Sequence, residues 1–155
     1  PTDLHMPPLT LAQAQARTPC PIRRLSSLPR GLTFRYARAF GPPPNGEAPY
    51  SVALAYGSAK SADVGLSLQE TLQDPCCKGG PAIPASRTEA VAVQGQPAAY
   101  AHGGWQRVRD GTVVWSDQVD ATVLSWDAGG MSYVLQSQHL GLSRAEVIRI
   151  AESLQ

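Results

Sequence analysis

Charge is scarce in this chain. Asp, Glu, Lys and Arg together supply 16% of its 155 residues, and the net charge at neutral pH is only +1, against roughly a quarter charged in an ordinary soluble domain. The basic residues are scattered, so no concentrated positive field awaits a phosphate backbone, which argues against a nucleic-acid partner. Long apolar runs are missing too, and no stretch approaches the length that crosses a bilayer. Pro1 to Pro8 lack the basic start and apolar middle of a signal peptide, and are read as a loosely ordered lead-in. The first residue is not Met, from which we expect an upstream segment, a signal peptide or membrane anchor, that has been removed.

Cysteines are few: Cys20 and the adjacent pair Cys76 and Cys77. An odd count allows one disulfide with a thiol left over, and such bonds persist mainly in oxidising compartments. Cys20 with Cys76 or Cys77 is the favoured bridge, because a ring between neighbours strains the backbone. Three unpaired thiols is the alternative, since spacing does not establish proximity.

Apolar residues, at 43%, suffice for one core in a chain of this length, so residues 1–155 are read as one domain. Thr10 followed by Gln13 has the spacing of a capping box and predicts a short helix over residues 9–17, stopped by Pro19 and Pro21. Pro21 to Gly31 reads as an irregular connector anchored by Ile22, Leu25 and Leu28. Leu32, Phe34, Tyr36 and Phe40 share one parity, as strand residues do. After the turn-rich stretch 41–49, Tyr50, Val52, Leu54 and Tyr56 alternate, then Val64, Leu66 and Leu68, predicting a three-strand meander.

Residues 73–86, with three prolines, two glycines and the cysteine pair, are read as an irregular insertion outside the sheet. Beyond it a strand is expected over Glu89 to Val93, a turn at Gly95-Gln96, and a returning strand over Ala98 to His102, ended by Gly103 and Gly104. Trp105, Val108, Val113 and Trp115 mark a β segment reversed at Asp110-Gly111. Thr122, Leu124 and Trp126 lead through Asp127 to Gly130 into Met131, Tyr133 and Leu135 as a long hairpin. At the end, Ser143 caps and Glu146 reciprocates, Leu142 and Val147 form a staple, and Val147, Ile148, Ile150, Ala151 and Leu154 give an apolar helical face over 143–154. The expected fold is therefore α+β: a curved antiparallel sheet of about six to eight strands with a short N-terminal helix and a C-terminal helix packed on it.

No chemical constellation stands out. His5, His102 and His139 are far apart in sequence, and Cys76-Cys77 lacks the gap that lets two sulfurs reach one tetrahedral ion, so a Cys76, Cys77, His102 metal site loses to a loop staple and an exposed histidine. No G-x-S-x-G elbow is present, and the acids, Glu70 among them, fall at strand ends, turns and a cap, where structural duty explains them. Gly103-Gly104 and Gly129-Gly130 lie among strands rather than opening a helix, as a phosphate cradle would. Trp105, Trp115 and Trp126, with Tyr100 and Tyr133, have the chemistry to line a sugar or peptide groove. Core packing is the favoured account, because their parity matches neighbouring apolar positions. No catalytic residue, metal or cofactor is expected.

LTLAQAQARTPCPI, the LPRGL step, VAVQGQPAAY, LSWDAGGMSYVLQS and LGLSRAEVIRIAESL follow one another in an order that resembles an uncharacterised bacterial domain family. That family occurs in extracytoplasmic parts of anti-sigma factors and in sporulation-associated lipoproteins. The resemblance implies an α+β fold, related to the curved sheets of lipoprotein-carrier and RseB-like periplasmic proteins, and a place beyond the cytoplasmic membrane. It carries over no catalytic residue. Cys20 and the CCKGG insertion depart from the pattern. The function expected is a non-enzymatic sensor or protein-interaction domain attached to an upstream anchor. The alternative is a carrier that holds a lipid or other apolar ligand between sheet and helices.

Overall fold

The computed structural model describes residues 7–40, 50–58, 64–72 and 83–155. Helix α1 spans Leu11–Gln15 and is closed by the expected capping box: the Gln13 amide donates to Thr10 Oγ1 at 3.2 Å and the Thr10 amide to Gln13 Oε1 at 2.9 Å. Among the described residues nine strands follow: β1 Leu32–Phe40, β2 Ser51–Ser58, β3 Val64–Leu72, β4 Glu89–Val93, β5 Gln96–His102, β6 Gly104–Arg107, β7 Val113–Ser116, β8 Ala121–Ala128 and β9 Met131–Gln138. Helix α2 closes the chain at Arg144–Glu152.

Seven strands form one antiparallel sheet in the order β1-β2-β3-β9-β8-β5-β4, and β6 and β7 pair only with each other. The architecture is the expected α+β one. β1 to β3 are the anticipated meander, but β3 then pairs with β9, so the long closing hairpin β8-β9 sits at the centre between the meander and the β4-β5 hairpin.

One row of side chains shows where the core lies. Tyr100, Leu124, Leu135, Leu68, Leu54 and Ala37 are successive partners across six strands, and all are buried. Val147, Ile150 and Ala151 of α2 complete the same cluster, with α2 packed on β4 and β8 and α1 on β1. Burying apolar area of this kind is the main force holding the layers together. The layer between sheet and α2 is thus filled by protein side chains.

Several expectations need correction. A bulge intervenes between Phe34 and Tyr36, which pair with the adjacent residues Tyr56 and Ala55. The extra residue flips the alternation, so Tyr36 leaves the face of Phe34 and the small Ala37 and Ala39 take the buried places. The β4-β5 turn is centred one residue earlier than expected, at Gln94 and Gly95, both with positive φ (49° and 78°), the geometry a tight hairpin needs. Gly104 opens β6 instead of ending β5. The Ser143 cap is half of a box: its hydroxyl accepts the Glu146 amide, but it also donates to Glu146 Oε1. Leu154 lies past the helix, bridged to Leu25.

Candidate functional site

The sheet has a second face. Ala99, Ser125, Val134 and Gln69 are cross-strand partners in one row, with Val123 and Gln136 paired in the next. Strict alternation sends them away from the core. They floor a groove of about 630 Å³, and among the described residues none of its lining side chains carries a charge. Amides and a hydroxyl from Gln69, Gln136 and Ser125 stand beside the small apolar surfaces of Ala99, Val123 and Val134. Such a mixture suits a ligand that is neutral, partly apolar and able to hydrogen-bond.

The β6-β7 hairpin walls this groove. Its Trp105 and Trp115 meet edge to face, with ring centroids 5.5 Å apart, and both line the opening. Gly103 makes the approach feasible: it has a φ of 119°, and a Cβ there would fall 2.5 Å from the Ser116 carbonyl oxygen. Only glycine tolerates both the angle and the closeness. Beyond this base the ribbon is exposed, and the exposed large hydrophobics among the described residues, Trp105, Val108, Val113 and Val114, all belong to it or its turn. Trp105, expected to pack in the core, is 41% exposed. Alternation there reports a strand, but the strand belongs to a two-stranded ribbon that pairs with no other strand among the described residues.

The five aromatics singled out in the sequence divide between the faces. Trp126 is buried on the core side, stacked on its cross-strand partner Tyr133 at 5.3 Å, and Tyr100 lies in the same core cluster. Trp105 and Trp115 stand at the groove. Cys20 is half-buried with a free thiol, and Cys76 and Cys77 fall outside the described residues, as does His5. His102 is exposed at the end of β5, and His139 lines a second hollow of about 480 Å³ with Leu32, Val64 and Leu140. Among the described residues no group of three His, Cys, Asp or Glu is placed to hold a metal ion, and no helix is long and apolar enough to cross a membrane.

Glu70, read from the sequence as one of the acids with structural duty at strand ends, turns and a cap, is instead buried inside the core side of a strand. It sits on β3 with the inward parity of Leu66 and Leu68 and is only 3% exposed. Its Oε1 accepts the Arg23 amide at 2.9 Å, while Oε2 is buried without a partner. Burial pushes its pKa up to about 7, against the weaker pull of the Arg23 amide and the Arg23 charge. The same-parity run Leu66, Leu68, Glu70 was the available signal: a carboxylate two residues past a buried pair, still inside the strand, continues the buried stripe.

No family model matches this chain, and no curated protein or solved structure matches it either.

Proposed function

We propose that this chain is a non-enzymatic, extracytoplasmic sensor or protein-interaction domain that receives its partner on the open sheet face beside the β6-β7 hairpin. The observation that carries the reading is the confinement of Trp105, Val108, Val113 and Val114 to one ribbon bordering an uncharged groove. Clustered apolar exposure rimmed by polar groups is the usual mark of an interaction surface, and indoles supply much of the energy at such contacts. The placement outside the cytoplasm is supported by the sequence resemblance to anti-sigma and lipoprotein domains, and the upstream anchor belongs to the same reading.

Site-specific photo-crosslinking tests it. A photoreactive residue at position 105 or 114 is expected to yield a discrete adduct in cell-envelope preparations, whereas one at the exposed Arg149 of α2 gives none. Equal labelling from both faces, or no adduct from the hairpin, would overturn the proposal.

A second reading keeps the apolar ligand. With the layer between sheet and α2 filled, the groove is where such a ligand has room, and Ile83, Val123 and Val134 give it apolar lining. Native mass spectrometry after gentle purification separates the two: a bound lipid-sized mass that is lost in Val134→Gln supports the carrier, and an unloaded chain supports the protein partner.

A further inference from the structure

A carboxyl group that is buried, half-partnered and set beneath an irregular segment has no packing rationale, since an apolar side chain would fill the place at less cost. Glu70 is such a group, and it lies on the core side of the sheet, opposite the groove. Next to it is a void of about 10 Å³, lined by Cys20, Ile22, Tyr50, Val52 and Met131 among others, which is about the least space a single water needs. The titratable and charged groups around it, among the described residues, are few. Arg23 comes from the connector and Cys20 from the residue before it, Tyr50 and Tyr56 from β2 and the residue before it, and Tyr133 from β9, with Arg24 acting on Tyr56. Arg23 and Arg24 carry the positive charge in that set. The Arg23 guanidinium is engaged elsewhere: it lies 5.8 Å over the Tyr133 ring and donates to the Leu154 carbonyl at 3.2 Å.

The connector above Glu70 is tied to the end of the chain. The Arg24 amide donates to the Gln155 carbonyl at 3.0 Å and the Gln155 amide returns to the Arg24 carbonyl at 2.9 Å, while the Ser26 amide reaches the Ser153 carbonyl at 3.1 Å. Leu25 is buried between them, its amide 3.4 Å from the Tyr56 hydroxyl. A disturbance at Arg23 is therefore passed one residue on to a short antiparallel pairing with residues 153–155, and so to the end of α2.

We infer that Glu70 is a pH-dependent latch: with its carboxyl protonated the connector over residues 22–28 and the chain end over 153–155 stay docked, and ionisation of that carboxyl loosens both. The neutral acid can keep its Arg23 contact while leaving Oε2 without a partner. The carboxylate would place a charge in a site with room for at most one water, and it gains by opening to solvent. The docked group is half-ionised near neutrality, since burial holds it at about 7, so the loosening builds from about pH 4.5 and is complete by about 7. A latch of this kind would let a sensor domain report acidity through the segment that follows α2.

Amide hydrogen exchange read by mass spectrometry, corrected for the intrinsic pH dependence of exchange, tests the latch. In the wild-type chain, protection over residues 22–28 and 153–155 should fall by about tenfold per pH unit between roughly pH 5 and 7 and then level off. In Glu70→Gln it should stay flat, and Glu152→Gln, an exposed control, should follow the wild type. A flat wild-type profile, or the same slope in Glu70→Gln, would refute the inference. If Glu70→Gln does not fold, titration of the Glu70 side-chain carbonyl by NMR in the wild type decides: a midpoint near 7 upholds the latch and one near 4.5 defeats it.

Discussion

The two faces of the central sheet come from the same strands and differ by one residue in register, yet they have opposite fates. On β8, Leu124 is fully buried while Val123 beside it is half-exposed; on β9, Leu135 is buried while Val134 and Gln136 look outward. The helix-side face carries long branched and aromatic side chains that α2 covers. The open face carries Ala, Ser, Val and Gln, with the β6-β7 ribbon and the segment at Ile83 and Thr88 beside it among the described residues. Apolar content alone does not seal a face: a covering layer must exist, and on the open side the described chain supplies a wall but no lid.

The largest expected effect comes from breaking the sealed face. Leu124→Ala should cost about 4 kcal/mol in chemical denaturation, because a cavity opens at the centre of a row with no room to relax, whereas Val123→Ala next door should cost less than about 1 kcal/mol. Equal losses would remove the distinction between the faces.

Next comes Glu70, the one charged residue among the buried side chains of the described chain. Its folded-state pKa of about 7 lies above the ordinary 4.5, so the stability it permits is full below about pH 4.5, declines from there to about 7, and is gone above. Glu70→Gln should therefore be more stable than the wild type at pH 8, by up to roughly 3 kcal/mol, with the advantage vanishing near pH 4.5. Paired denaturation curves at the two pH values measure it.

Smaller still is the cap of the covering helix. Ser143→Ala leaves the Glu146 amide without its acceptor and should cost about 1 kcal/mol. Smallest is Trp105→Ala on the ribbon, which should change stability by less than about 0.5 kcal/mol while weakening capture of the partner. A large stability loss there would mean that Trp105 belongs to the core after all.

Where strands are half-buried, the sequence carried the fold well. The parity of Leu66 and Leu68, of Leu124 and Trp126, and of Tyr133 and Leu135 was enough to place the central strands, and Thr10 with Gln13 placed α1. What alternation cannot express is the partner of each strand. Nothing local to β3 says that it bonds to β9 some seventy residues later, because that choice is made by long-range packing. Nor does it register an inserted residue: Arg35 in the bulge of β1 turns the stripe over, and Tyr36 changes face without any change in composition. Trp105 was misread for a related reason, since a free ribbon alternates as a core strand does. Glu70 was legible by position but not by residue type, as an acid late in a strand is ordinarily a rim residue.

One face of the sheet is sealed by α2 and the other stands open among the described residues. Paramagnetic relaxation of methyl groups by an inert, soluble gadolinium chelate measures this directly. Strong relaxation is expected at Val114, Val123 and Val134 and weak relaxation at Leu124, Leu135 and Leu68. Comparable relaxation of the two sets would mean that the faces are equally covered.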